Sequence, residues 1–166
     1  VTTTDRTLVL LRHAKSDWSG SLPDVERPLA ERGQAQAPLA GRWLATDVGP
    51  LDLAIVSPAQ RARETWGLVS AELAPAPPVR FEDRVYAASA GRLLDIVREV
   101  PDDVRTLLLV GHNPGMEELA SLLAGEDVIM RTAGIAVLGV AGPWSELDAA
   151  SAELRAAGRA EGRHLS

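Results

Sequence analysis

The sequence predicts an α/β fold, a mostly parallel sheet with helices on both faces. Short apolar runs recur along the chain, at "TLVLL" (7–11), "LDLAIV" (51–56), "PVRF" (78–81) and "TLLLV" (106–110). They are continuous rather than alternating, the pattern of strands covered on both faces. Segments of helical spacing lie between them, and strand–helix alternation of this kind lays helices on both faces of one sheet.

The elements follow in order. Residues 29–48 place Leu29, Ala30, Gly33, Ala37, Ala40, Trp43 and Leu44 on one helical stripe. Pro38 inside that stripe predicts a kink or a second helix start. Residues 58–73 form the next helix, with Pro58 in its first turn. Residues 89–100 turn Leu93, Leu94, Ile96 and Val97 inward, and Pro101 ends them. Residues 115–123 give a fourth helix, with Met116, Leu119, Ala120 and Leu123 inward. "AGIAVLGV" (133–140) is a strand whose direction the pattern leaves open, and "PAPP" (75–78) is a loop. The Ala- and Arg-rich tail after Ser151 is expected to be a last helix or frayed, and His164 within it receives no role. The tryptophans at 18, 43, 66 and 144 are expected to fill core or rim.

The chain has 166 residues, 46% hydrophobic and 24% charged, which fits one domain spanning 1–166 with a real core. Its net charge of −6 argues against a general nucleic-acid or anionic-membrane surface, so any cations that hold an anionic substrate must be local. There are no cysteines, which removes disulfides, thiolate metal sites and a cysteine nucleophile. No apolar run reaches the ~18 residues of a membrane span. The start, "VTTTDRTLVL", lacks the basic and apolar regions of a signal peptide, and a cytoplasmic protein is expected.

Chemistry gathers where the strands end. "TLVLL" runs into Arg12-His13. "LAIV" runs into Ser57-Pro58-Ala59-Gln60-Arg61 at a helix start, and "LLLV" into Gly111-His112-Asn113-Pro114-Gly115 at another. Ligands of open α/β sheets sit beyond the carboxyl ends of strands. Two histidines and two arginines therefore converge on one edge, with helix N-termini supplying N–H donors that favour anions. Fixed cations, aimed donors and a nucleophile are the parts of a phosphate pocket.

The motifs "LRHAKSDW", "SPAQRARET" and "GHNPG", in this order and after strands, resemble the histidine phosphatase (phosphoglycerate mutase-like) superfamily over roughly residues 7–142. "RHAKSDW" and "ERPLAERG" (26–33) resemble its small bacterial phosphohistidine phosphatases. The resemblance implies a three-layer α/β/α sandwich and no metal or other cofactor. It implies His13 as the nucleophile that becomes phosphorylated, and Arg12 and Arg61 as phosphoryl-binding arginines. His112 matches the second pocket histidine, which donates to the phosphoryl group. For the general acid the resemblance offers Glu82, ahead of Tyr86 in an "E-x-x-x-Y" segment, with Asp83 the alternative. Arg27, in "ERPL", either reaches the substrate or ties its loop down through a carboxylate. Asp17 and Trp18 read as loop supports. The usual Arg-His-Gly triplet is Arg12-His13-Ala14 here, a mild change unless position 14 needs positive φ.

The mechanism needs a neutral His13 whose other ring nitrogen meets an acceptor, for which a backbone carbonyl would serve. Attack is in line, Arg12, Arg61 and His112 hold the equatorial oxygens, and water hydrolyses the phosphohistidine. The pH profile is expected to be bell-shaped, with an acid limb from histidine. The expected substrate is a phosphohistidine on a protein, or a small phosphomonoester. The short chain leaves little sequence for a lid. A phosphoglycerate mutase, and a silent module that binds phospho-ligands, are the alternatives. The first lacks the insertions that close the pocket, and the second is disfavoured by four intact pocket residues.

Overall fold

In the computed structural model, residues 6–166 are described. The expectations for the first five residues, a single domain starting at residue 1 and no signal peptide, lie outside the described residues. The strands are β1 (Arg6–Arg12), β2 (Leu53–Val56), β3 (Val79–Phe81), β4 (Thr106–Gly111), β5 (Gly134–Val140), β6 (Ala152–Glu161) and β7 (His164–Leu165). The helices are α1 (Glu31–Trp43), α2 (Gln60–Ser70), α3 (Ala90–Arg98) and α4 (Gly115–Ala124). One seven-stranded sheet runs in the order β3-β2-β4-β1-β5-β6-β7. β3, β2, β4 and β1 are parallel, and β5 joins β1 antiparallel.

Alternate residues of each central strand serve opposite faces, the period-two rule of a pleated strand. Leu8, Leu10, Ile55, Leu107 and Leu109 meet α3, α4 and the fully buried Trp144. Val9, Leu11, Val56, Leu108 and Val110 meet α1 and α2 on the other face. This double burial is why those runs are continuously apolar. Trp144 donates its indole N–H to the Val104 carbonyl at 2.8 Å, which removes the penalty of burying that donor.

Several local expectations change. β3 is an edge strand with all three residues exposed, not a buried one. α1 passes through Pro38 unbroken and ends in a π turn (Leu44–Val48) closed by the Gly49 N–H on the Leu44 carbonyl. α2 begins at Gln60, so Pro58 precedes the helix rather than opening it. The tail is neither helix nor frayed. β6 pairs along β5 and turns back as β7, which contains His164. Ala, Arg, Glu and Leu favour a helix locally, but pairing with the fully buried β5 overrides that preference. Trp43, Trp66 and Trp144 are buried, whereas Trp18 is 70% exposed.

Two glycines allow backbones to touch beside the strand ends. A Cβ on Gly33 would lie 2.1 Å from the Lys15 carbonyl oxygen, and one on Gly115 would lie 2.2 Å from that of Ala88. Both obstacles are backbone, so neither can swing aside. We expect Gly33→Ala to destabilise the protein by about 1–3 kcal/mol in urea melts, as overpacking does.

Candidate active site

Register brings the site together. Arg12 at the end of β1 pairs with Gly111 at the end of β4, and Val110 pairs with Val56 at the end of β2. The next residues, His13, His112 and Ser57, therefore emerge side by side. The His13 N–H donates to the Gly111 carbonyl at 3.0 Å, and the Ser57 N–H to that of Val110 at 3.1 Å. The imidazole rings of His13 and His112 stand 5.0 Å apart, centre to centre.

These side chains line a cavity of about 180 Å³, together with Arg12, Lys15, Ser16, Trp18, Arg61, Asn113 and Thr132. That volume would hold about six waters at liquid density. A larger cavity of about 610 Å³ lies between α1 and the turn after β6 and is lined by no histidine. Size alone does not locate chemistry.

His13 is poised as a neutral base. Its Nδ1 lies 2.8 Å from the Ala14 carbonyl, which can only accept, so Nδ1 carries the hydrogen and Nε2 keeps its lone pair. Burial lowers the His13 pKa to about 3, assisted by His112, Arg61 and Arg12 and opposed by the Ala14 hydrogen bond. Burial also lowers that of His112 to about 4, again with Arg61 and Arg12. His112 Nε2 is 2.7 Å from the Ser57 hydroxyl, and its buried Nδ1 has no partner. Where the Ser57 hydroxyl donates to Nε2, the ring hydrogen sits on Nδ1. An acid limb from either histidine therefore lies well below the ordinary histidine range.

The arginines are held differently. Arg12 projects from β1, donates to the Met130 carbonyl at 3.1 Å and keeps a buried Nε without a partner. Arg61, in the first turn of α2, donates to both the carbonyl (2.7 Å) and a carboxylate oxygen (3.0 Å) of Asp24. Asp24 was not singled out by the sequence. It sits in a 3₁₀ turn (Asp24–Glu26), and its carboxylate also accepts from Tyr86 at 2.5 Å and Arg27 at 3.1 Å. The Tyr86 hydrogen bond above all, then Arg61 and Arg27, holds its pKa down at about 2. Tyr86 meets His112 edge-on at 5.6 Å. Thr65 is a second missed residue. Its hydroxyl donates to the Arg61 carbonyl at 2.7 Å and accepts the Ala14 N–H at 3.0 Å, clamping α2 to the segment that follows β1. Ala14 is not among the positive-φ residues, so alanine fits there without backbone strain.

The structure does not bring Glu82, Asp83 or Arg27 to the cavity. The Glu82 carboxylate pairs with Arg84 at 2.9 Å and caps the Arg84 N–H, contacts that lower its pKa, so it is placed as an ion-pair partner and not as a proton donor. Asp83 is exposed. Arg27 donates to the Asp17 carbonyl, Asp24 and Ser16, and stacks on Trp18 at 3.0 Å. All three guanidinium nitrogens are engaged, and these contacts tie the loop down. No group of three or more His, Cys, Asp or Glu side chains that could hold a metal ion occurs among the described residues.

Residues 8–128 match the family model of the histidine phosphatase superfamily, branch 1. The chain belongs to the histidine phosphatase superfamily. An uncharacterised protein of Mycobacterium tuberculosis is 38% identical over 155 residues, covering 87% of this chain and 96% of its own. Two structures, each of a candidate phosphohistidine phosphatase SixA, are 29% identical. That from Nakamurella multipartitia has a TM-score of 0.85 and covers 96% of this chain and 99% of its own. That from Agrobacterium tumefaciens has a TM-score of 0.76, with 83% and 94% covered. The three-layer fold expected of this superfamily is the fold observed.

Both buried histidines of this histidine phosphatase titrate near 6.5 when unfolded. Their folded values are depressed, so the unfolded chain takes up protons first as pH falls. Stability present above about pH 6.5 is then lost progressively on acidification, by up to about 2 kcal/mol per histidine at pH 5. Urea midpoints measured at pH 7 and pH 5 are expected to separate in the wild type and to converge in a His13→Asn/His112→Asn variant. A second expectation concerns Asp24. Asp24→Asn should lower kcat/KM about tenfold, mostly through KM, because Arg61 loses its orientation. Arg61→Ala should lose the ~10²–10³ typical of a missing oxyanion donor.

Proposed function

We propose that this chain is a metal-independent phosphatase that works through a phospho-His13 intermediate. The observation that carries this is the His13 ring, neutral, hydrogen-bonded through Nδ1 to Ala14 and flanked by Arg12, Arg61 and His112. His13 Nε2 attacks phosphorus in line. The P–O or P–N bond breaks, and the leaving atom departs with its electron pair and takes a proton from water. Arg12, Arg61 and His112 bind the three equatorial oxygens, where charge spreads in the transition state. Water then attacks phospho-His13, releasing inorganic phosphate and returning the neutral imidazole.

No carboxylic acid lines the cavity among the described residues. Such a site favours leaving groups that need little proton help. A protonated imidazole, as in a phosphohistidine protein, is one, and an aryl phosphate is another. The likeness of this chain to two structures of candidate phosphohistidine phosphatases supports the first. Among the described residues no helix is long and apolar enough to cross a membrane.

The experiment is hydrolysis of aryl and alkyl phosphates and of a phosphohistidine peptide, with a metal chelator present, by wild type and His13→Ala. Wild type should cleave the aryl phosphate and the phosphohistidine far faster than the alkyl ester, and His13→Ala should cleave none. Undiminished activity in His13→Ala, or equal rates across leaving groups, would remove this mechanism.

A further inference from the structure

A second cavity of about 220 Å³ adjoins the catalytic one at residues 131 and 132. Ile129, Arg131, Ala157, Gly158 and Arg159 line it, and Thr132 lines the catalytic cavity. Arg159 joins the two spaces, donating to the Thr132 carbonyl at 2.9 Å and the Thr132 hydroxyl at 3.2 Å. Arg131 is exposed, and its guanidinium has no hydrogen bond or ion pair among the described residues. The Lys15 ammonium, on the wall of the first cavity, has none either. Arg32 on α1 is close enough to Arg159 to act on it, next to Gly33, whose backbone touches Lys15. Burial, Arg32 and Arg131 lower the Arg159 pKa, and Glu161 opposes them. Four cations thus gather on one flank of the site in a protein of net charge −6, with Glu161 as the acid that acts on Arg159. A phosphoryl group alone does not need them, since Arg12, Arg61 and His112 already surround it.

We propose that Arg131 and Arg159, flanked by Lys15 and Arg32, form a second anion-binding position that holds another anionic group of the substrate's leaving portion. The group is a carboxylate or phosphate, borne by a small phosphorylated compound or by an acidic residue beside a phosphohistidine. This rests on the phosphatase reading for the phrase "leaving portion", but binding at the position does not require turnover.

The test pairs substrates and probes that differ by one anion. Phenyl phosphate is compared with 3-carboxyphenyl phosphate as substrate. Methylphosphonate is compared with 3-phosphonopropionate by calorimetry. Arg131→Gln is the test variant. Arg163→Gln, an exposed arginine that lines the 610 Å³ cavity and neither of these two, is the charge-matched control. Arg131→Gln should lower kcat/KM for the carboxylated ester, and affinity for 3-phosphonopropionate, about five- to tenfold. Phenyl phosphate and methylphosphonate should change less than twofold, and Arg163→Gln should leave all four unchanged. Equal effects of Arg131→Gln on one- and two-anion ligands, or equal effects of both variants, would overturn the proposal. So would a wild type that binds both phosphonates alike. If neither ester is hydrolysed but calorimetry shows the Arg131-dependent preference, the phosphatase reading fails and the anion position stands. Phosphohistidine peptides flanked by Glu or by Gln separate the sources. An Arg131-dependent preference for Glu assigns the anion to a protein. Its absence, with the carboxyphenyl preference retained, assigns it to a small molecule.

Discussion

The parallel pairing of β1 with β4 is the constraint on which everything else rests. The two strands end flush, at Arg12 and Gly111. One residue of slip would turn His13 and His112 to opposite faces of the sheet, because side chains alternate along a strand. That slip is resisted by the core itself. Leu8, Leu10, Leu107 and Leu109 face one helical layer, and Val9, Leu11, Leu108 and Val110 face the other. Fully buried leucines each contribute roughly 1.5–3 kcal/mol, so the same hydrophobic burial that stabilises the fold also sets the spacing of the imidazoles.

The site then resolves a conflict between dryness and charge. A nucleophilic imidazole must be neutral, and burial keeps it so. Anion binding needs cations in the same space. Arg61 is one of them, and its charge is shared in advance with Asp24, which Tyr86 and Arg27 also hold. Arg61 has five N–H donors and gives two to Asp24, so others remain for a ligand. Arg12 is held by a single carbonyl and keeps an unpartnered buried Nε. One arginine is fixed in place, and the other is left short of hydrogen bonds.

Much of this was legible in the sequence because it depends on local pattern. Continuous apolar runs mark doubly covered strands, and the polar residues that follow them mark the carboxyl edge. The pattern failed where long-range pairing decides. "AELRAAGRAE" has helix-forming residues, yet it is a strand because β5 offers it an open edge. "PVRF" looked buried but lies at the sheet's other edge. Asp24 was hidden for a different reason. It lies 37 residues from Arg61 and 62 from Tyr86, in a loop with no periodicity to place it. Thr65 was visible within "SPAQRARET", but its role needs the Ala14 N–H, 51 residues away. Glu82 and Arg27 had the right chemistry in the right order, and nearer partners, Arg84 and Asp24, took up their charges.

The segment that carries Asp24 leaves and re-enters the fold at one narrow base. Ser16 bridges to Leu29, the Ala30 N–H donates to the Lys15 carbonyl, and the Asp17 N–H to that of Pro28. A loop closed at its base in this way can be lengthened or exchanged at small entropic cost, since closure entropy grows only slowly with length. Residues 17–28 therefore behave as an interchangeable module above a fixed catalytic floor. Descendants of this chain could acquire new substrates by rewriting that module alone, provided one carboxylate is retained where it meets Arg61.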